Sequence, residues 1–290
     1  MNSSDRRTHS RLVALLVALA LAGCGEDVEQ APATTSNGTS SSDGGGGTGS
    51  STSSYGSIDV NSDPDVGSFA FASFEIFATN DDCTLLTEGP CSVLLCPPTA
   101  GGGGGPSFQS AGDISVESGA TTLALVPDSE LNYSASGPPL WDAEGTEVVE
   151  ATATGADVPG FVLDVPTPGY VHVVEPVFPS DDTPMTIATT ETLALTWSGG
   201  NPSATIQASL ASADFGALAT CRFPAAAGTA MIEPTTLQHL KGPSGGSLIV
   251  TVFQESATTV AEWKIVLRAG STGLVDGNAL GSFSINVDYE

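Results

Sequence analysis

The run Gly242-Pro-Ser-Gly-Gly246 has the G-x-S-x-G spacing in which a serine acts as a nucleophile. In that hydrolase interpretation, Ser244 attacks a carbonyl carbon, His172 or His239 takes the proton, and an aspartate orients the imidazole. The available aspartates are Asp181, Asp182 and Asp214. However, a nucleophile elbow needs a strand before the serine and a helix after it, whereas here a helical pattern precedes Ser244 and a strand pattern follows it. A glycine-rich turn explains the same residues, so we predict no catalytic residue and keep a secreted serine hydrolase as an alternative.

A second run, Asp59-Val-Asn-Ser-Asp-Pro-Asp65, places oxygen side chains at the first ligand positions of a calcium-binding loop. Such a loop also needs glycine at its sixth position and glutamate at its twelfth, where this chain has Pro64 and Ala70. Acidic pairs such as Asp81-Asp82 and Asp181-Asp182 are typical of solvated loop tips. We therefore predict no metal site and no cofactor, and calcium-dependent adhesion stays an alternative function.

The amino-terminal region carries the strongest motif. An apolar stretch, Leu12 to Leu21, follows three arginines; it suits a signal peptide but is shorter than the roughly 20 residues of a membrane-spanning helix. The residues Leu21-Ala-Gly-Cys24 resemble the lipobox of bacterial lipoproteins. This resemblance implies cleavage after residue 23 and acylation of Cys24, which anchors the chain to a membrane. Gly25, in the place where an aspartate retains lipoproteins at the inner membrane, favours the outer membrane, so we expect a cell-envelope protein.

Charge excludes one class of partner. The chain has 7 basic and 33 acidic residues, and removal of residues 1–23 takes away three arginines and one aspartate, which leaves a formal charge of −28. The remaining basic residues are Arg222, Lys241, Lys264 and Arg268. Because binding to phosphate backbones depends on lysine and arginine, we predict no nucleic-acid partner.

Four further cysteines remain after Cys24, and an even number in an oxidising compartment predicts disulfides: Cys83, Cys91, Cys96 and Cys221. Zinc is disfavoured because their spacing lacks a close C-x2-C pair. Four cysteines permit three pairings. The ends of Cys91–Cys96 point to opposite faces of a strand and should not pair with each other, which leaves two pairings open. Of these we expect Cys83–Cys91, across a hairpin, and Cys96–Cys221.

Composition divides the chain. Residues 24–67 contain mostly serine, threonine, glycine and aspartate, which predicts a lipidated amino terminus followed by a disordered tether. Beyond Gly67, apolar residues alternate with polar ones, as in Leu193, Leu195 and Trp197, and this predicts half-buried strands. A short helix is expected over Pro234–Leu240. The strands predicted from alternation are 69–78, 91–96, 113–117, 123–126, 148–154, 161–165, 171–174, 192–197, 205–210, 248–253, 263–268 and 282–289.

Many short strands with few helices predict an all-β fold, and the proline-rich segment Pro176 to Pro184 predicts a boundary between two β-sandwich modules, 68–175 and 176–290. The second module resembles immunoglobulin and fibronectin type III domains in its Leu-x-Leu-x-Trp strand. Trp197 and Trp263 fall on apolar faces and should lie in the core, whereas Trp141 should be exposed.

Several segments together resemble uncharacterised exported lipoproteins of the myxobacterial kind, a resemblance that implies a fold and no activity. The segments are Cys83-Thr with Cys91 and Cys96, Ala111-Gly-Asp-Ile-Ser115, Ala153 to Phe161, Leu195-Thr-Trp-Ser-Gly-Gly200 and Cys221-Arg-Phe. We therefore predict a non-enzymatic envelope lipoprotein that binds a protein or glycan, or serves structurally.

Overall fold

The computed structural model describes residues 52–64, 66–78, 83–96, 107–177, 183–213, 216–241, 245–272 and 285–290. The strands of the first part are β1 Thr52–Asp63, β2 Gly67–Ala78, β3 Thr84–Glu88, β4 Cys91–Leu95, β5 Ser107–Phe108, β6 Ile114–Ser118, β7 Thr121–Pro127, β8 Tyr133–Gly137, β9 Val148–Ala153 and β10 Phe161–Pro166. Those of the second part are β11 Val171–Glu175, β12 Met185–Ile187, β13 Leu193–Gly199, β14 Thr205–Ser212, β15 Ala217–Pro224, β16 Thr229–Ile232, β17 Gly246–Val260, β18 Trp263–Thr272 and β19 Ile285–Tyr289. A 3-10 turn spans Ala225–Ala227, and the helix α1 spans Pro234–Gln238.

One long layer of strands runs through the described chain. Its order is β8-β2-β1-β18-β17-β14-β15-β4-β3, and we call it the shared layer. All its described pairings are antiparallel except that of β1 with β18, which is parallel. The long hairpin of β17 and β18 lies at its centre, and this hairpin contributes to two separate cores.

The first core lies between the shared layer and the strands β10-β9-β6-β7. The fully buried ring of Phe74 lies at its centre, with the rings of Tyr133, Phe161 and Trp263 at 6.1, 6.0 and 6.3 Å. These strands alternate because one face must be buried: along β10 every second side chain is buried and the others are exposed. Burial of each large apolar side chain contributes about 1.5–3 kcal/mol.

The second core lies between the shared layer and the three-stranded sheet β11-β13-β16. Leu195 and Trp197 on β13 face Ile206 and Leu210 on β14, and Leu237 of α1 is also buried in this core. The predicted fold class, all-β with two β-sandwich modules, is confirmed. The short predicted helix is also confirmed, since α1 begins at Pro234, where a missing N–H leaves no helical hydrogen bond unmade.

The predicted segment boundaries are not those of the structure. The tether was expected over residues 24–67, but Thr52–Asp63 forms β1, so that prediction is wrong for this stretch. A strand was not apparent there because serine, glycine and aspartate dominate it, and its burial comes from neighbouring strands. Residues 1–51 lie outside the described residues.

The boundary predicted at residue 176 does not separate the cores either. The β3–β4 hairpin, from the predicted first module, contributes Cys91 and Val93 to the second core. In the other direction, β18 contributes Trp263 and Leu267 to the first core. Residues 52–290 therefore form one compact unit with two cores.

Side-chain hydrogen bonds also join the parts of the chain that form the two cores. Asn201 Nδ2 and Gln254 Nε2 both donate to the carbonyl oxygen of Thr167, at 3.4 and 3.2 Å. Ser271 Oγ donates to the carbonyl oxygen of Gly169 at 3.1 Å. These bonds join the segment between β10 and β11 to the β13–β14 loop, to β17 and to β18.

The three tryptophans are all buried. Trp197 and Trp263 are 5% and 2% exposed, which confirms their predicted core positions. The prediction that Trp141 is exposed is wrong, because it is 4% exposed and belongs to the first core. Among the described residues, no helix has the length and apolar character needed to cross a membrane.

Candidate binding surface

The side of the shared layer that faces away from both cores is called the outer face here. Its side chains alternate along each strand with those of the cores. One row across four neighbouring strands consists of Phe71, Asp59, Arg268 and Glu255. The next strands continue the face with Gln207 on β14 opposite Arg222 on β15.

Basic residues concentrate on this face. Arg222, Lys264 and Arg268 lie there, and they are three of the four basic residues that follow residue 23. Acidic side chains on the same face include Asp59, Glu75 and Glu255. The outer face is therefore close to electroneutral in a strongly acidic chain.

Arg268 is the centre of the charged cluster. Its Nη2 donates to Glu255 Oε2 at 2.9 Å, and its Nη1 lies 3.9 Å from Asp59 Oδ1. The residue is only 8% exposed, so its charge needs an anionic partner, which the nearer carboxylate of Glu255 supplies. The cluster links β1, β18 and β17 through side chains in addition to their backbone ladders.

Burial raises the pKa of two groups beside Arg268. Burial raises the pKa of the Asp59 carboxyl above its ordinary value, although Arg268 and Ser57 both act to lower it. Burial also raises the pKa of Tyr55, against the effect of Arg268. Asp59 and Arg268 are 7% and 8% exposed, so this part of the outer face is poorly solvated.

Phe253 is covered by two guanidinium groups. The Cζ atoms of Arg222 and Arg268 lie 5.4 and 4.8 Å from its ring centroid. Phe253 is 3% exposed although it belongs to neither core. Arg222 also approaches Glu255 at 3.6 Å, with the two side chains 36% and 38% exposed. Arg222 and Glu255 are therefore the cationic and the anionic group of this cluster that solvent reaches.

The regions beside the cluster are more apolar. On one side, Phe69 is 45% exposed and Phe71 is half-buried. On the other side, Leu85, Leu94 and Leu218 stand opposite one another on β3, β4 and β15, half-buried and outside both cores. Aromatic residues and arginine are the types enriched at protein interfaces.

The strands β10, β9, β6 and β7, which lie across the first core from the shared layer, have a contrasting surface. Asp164, Glu150 and Glu117 stand directly opposite one another on β10, β9 and β6, and all three are exposed. We call them the acidic row. Like charges opposite each other in a sheet are destabilising. The described residues thus present an acidic surface on one layer and a mixed, near-neutral surface on the other.

The predicted hydrolase residues are not brought together among the described residues. Ser244, Asp181, Asp182 and Asp214 lie outside the described residues. His172 lies on β11, where it stands opposite Ser198 of β13.

His239 follows α1, and its Nε2 lies 3.1 Å from Glu88 Oε1. Glu88 Oε2 also accepts a hydrogen bond of 2.9 Å from Thr236 Oγ1. Burial raises the pKa of the Glu88 carboxyl. Hydrogen bonds from His239, Thr236 and Thr235 together lower this pKa by more, so the net pKa is below its ordinary value. The described partner of His239 is thus Glu88, and these contacts tie α1 to the β3–β4 hairpin.

Most of the calcium-like run lies in a strand, because β1 extends to Asp63. Asp59 and Asp63 belong to β1, and Asp59 faces Arg268. Asp65, Asp81 and Asp82 lie outside the described residues. In the part of the chain that the structure describes, no group of three or more histidine, cysteine, aspartate or glutamate residues is arranged to hold a metal ion.

The four cysteines form two disulfides, Cys83–Cys96 and Cys91–Cys221. The expected pairs, Cys83–Cys91 and Cys96–Cys221, are wrong. Because β3 and β4 are joined by a two-residue turn, Cys83 and Cys96 end up side by side at the open end of the hairpin. Cys91 stands directly opposite Cys221 in the β4–β15 ladder. Cys24, the expected acylation site, lies outside the described residues.

No protein-family model matches the chain, and no curated protein matches it. Among solved structures, the chain is similar to a Ca²⁺-stabilized adhesin with which an Antarctic bacterium binds ice, at 17% identity and a TM-score of 0.17. This match covers 76% of this chain and 49% of that one. A bacterial ice-binding adhesin of 1.5 MDa is similar at 18% identity and a TM-score of 0.19, with 77% and 65% covered.

The tandem Ig repeats of Dlar are similar at 11% identity and a TM-score of 0.19, with 77% of this chain and 95% of that chain covered. The chain spans less than two thirds of either adhesin structure. TM-scores this low carry no argument about function. The fold class rests on the sheet topology and the two cores.

Sequence reasoning missed the cluster of Arg222, Phe253, Glu255 and Arg268. The alternation that predicts a strand over 263–268 places Lys264 and Arg268 on the face opposite Trp263, and the structure confirms this placement. The available signal was the rarity of basic residues: two of the four that follow residue 23 cover one phenylalanine ring.

Proposed function

We propose that this protein is a non-enzymatic, lipid-anchored protein of the outer membrane whose outer face binds a partner protein or glycan. The observation that carries the binding role is the composition of the accessible part of the outer face, where Arg222, Lys264 and Phe69 lie on a near-neutral surface. A partner that contacts this face avoids the repulsion that an acidic surface exerts on other anionic molecules.

The anchoring role is supported by the lipobox-like residues before Cys24 and by the two disulfides, which suit an oxidising compartment. An alkyne fatty-acid analogue, followed by membrane fractionation, tests it. We expect the wild-type protein to be labelled and to fractionate with the outer membrane, and the Cys24→Ser variant to carry no label. An unlabelled wild-type protein would contradict the anchor.

Site-specific crosslinking tests the binding role. A photoreactive amino acid is placed in intact cells at Thr220, beside Arg222 on the outer face, and separately at Thr152, beside the acidic row. We expect a crosslinked product from Thr220 that is lost in the Arg222→Glu variant, and none from Thr152. Equal products from both positions would show that the outer face is not the binding surface.

A fluorophosphonate probe tests the absence of serine hydrolase activity. We expect no labelling of the folded protein. Labelling that disappears in Ser244→Ala would replace the binding proposal with a hydrolase.

A further inference from the structure

The first described strand, β1, does not lie at an edge of the sheet. It lies inside the shared layer, paired with β2 over twelve residues, from Thr52 to Asp63. Its other edge pairs with β18 from Ser54 to Asn61. A strand with two neighbours cannot leave the sheet from one edge, because both ladders must break together.

The direction of β1 determines how a pulling force would act on it. Its amino end lies beside Trp263, at the closed end of the β17–β18 hairpin. The second core lies toward the other end of that hairpin, around Leu248 and Val252. A pull on the chain before Thr52, away from the second core, therefore acts along the strand axis and loads the backbone hydrogen bonds of both ladders together.

Side-chain contacts fasten the far half of β1. Ser62, which is 1% exposed, accepts hydrogen bonds from Ser68 Oγ at 3.0 Å and from the backbone N–H of Leu140 at 3.1 Å. Its Oγ also lies 3.2 Å from the hydroxyl of Tyr170. Asp59 adds its contact with Arg268. Sliding of β1 by one residue would break all of these contacts and would move its apolar side chains out of the first core.

We infer that β1 is the strand that resists, in shear, a force transmitted through the amino-terminal chain. The inference extends the proposed function, because a surface protein that binds a partner while anchored at Cys24 is pulled at this strand. It rests on the anchor only for its biological role, since the mechanical property belongs to β1 itself.

Optical-tweezers measurements test the inference on residues 24–290 carrying Cys24→Ser, so that acylation does not affect the result. One handle is attached through a clickable amino acid at Met231, which is 61% exposed on β16. The second is attached either at the amino terminus or at Val162, which is 62% exposed on β10, a strand paired only with β9 among the described strands. We expect the amino-terminal geometry to rupture at a force higher by at least about twofold, because rupture tracks the unfolding barrier along the loaded path.

A matched pair of variants identifies the contacts. Ser62→Ala should lower the rupture force in the amino-terminal geometry and leave the Val162 geometry unchanged, while Ser54→Ala, on the same strand, should change neither. If Ser62→Ala fails to fold, a disulfide between Ser57→Cys and Ser73→Cys, which stand opposite each other on β1 and β2, should raise the amino-terminal rupture force.

Two results would overturn the inference. One is an equal rupture force in the two geometries. The other is a Ser57→Cys/Ser73→Cys disulfide that forms but leaves the amino-terminal rupture force unchanged. Neither result depends on acylation, so a failure of the proposed anchor and a failure of the inference about β1 are distinguishable.

Discussion

The two cores secure their most vulnerable strands in different ways. The second core includes the β3–β4 hairpin, which ends the shared layer and is held by both disulfides. The described part of the first core contains no disulfide and depends on the aromatic rings around Phe74 and on the central position of β1. A hairpin at the end of a sheet pairs with a neighbouring strand on one side only. A disulfide therefore adds stability that a second ladder of hydrogen bonds would otherwise provide. A central strand needs no such bond.

The largest expected effect follows removal of the long-range disulfide. The double variant Cys91→Ala/Cys221→Ala should lose about 4–5 kcal/mol of unfolding free energy, because the bond joins residues 130 positions apart. The matched variant Cys83→Ala/Cys96→Ala, with a separation of 13, should lose about 3 kcal/mol. Guanidinium unfolding followed by tryptophan fluorescence measures both. The reverse order would show that loop closure does not explain how the second core is stabilised.

The next effect tests the aromatic cluster of the first core. Phe74→Ala should cost about 3–5 kcal/mol, because a fully buried ring leaves a cavity among three other rings. Phe69→Ala, on the same strand but 45% exposed, serves as the control and should change the unfolding free energy by about 0.5 kcal/mol or less. Similar losses in both variants would mean that the rings do not hold this core together.

A smaller effect concerns the acidic row. Glu150→Lys converts two like-charge pairs, with Asp164 and Glu117, into opposite-charge pairs, and should raise the unfolding free energy by up to about 2 kcal/mol. The gain should shrink at high salt. Glu144→Lys, in an exposed loop position, makes the same charge change without these partners. A gain of equal size in that control would show that only the net charge matters.

The smallest effect is a pH dependence at Asp59. Burial raises the folded-state pKa of this carboxyl, so its stabilising contribution is complete below the ordinary value of 3.8 and is lost as the pH rises through the raised value. Asp59→Asn should therefore gain stability relative to the wild type between about pH 4 and pH 7. Urea unfolding across this range measures the difference, and parallel curves for the two proteins would contradict it.

Much of the fold was predictable because apolar residues alternate with polar ones: β10 alternates strictly between buried and exposed side chains, and β13 buries Leu195 and Trp197 on one face. The pattern failed where small residues replace large apolar ones: β1 and β8 are rich in serine, alanine and glycine. Trp141 was misplaced for a related reason, since its burial comes from distant strands and leaves no trace in the adjacent residues.

The candidate surface was less predictable. The sequence shows that Lys264 and Arg268 face away from a core, but Arg222 and Arg268 approach the same ring only because β15, β14, β17 and β18 are neighbours in that order. Registers between distant strands do not follow from local periodicity.

The sequence by itself determined the all-β class, the acidic charge and the even number of cysteines beyond Cys24, because these depend on composition and on a two-residue repeat. Only the tertiary structure decided the partners: which cysteines bond, which strands join the two cores, and where the scarce arginines meet. Those choices depend on contacts between residues far apart in the chain, and their free energy comes from pairing and burial that no single segment contains.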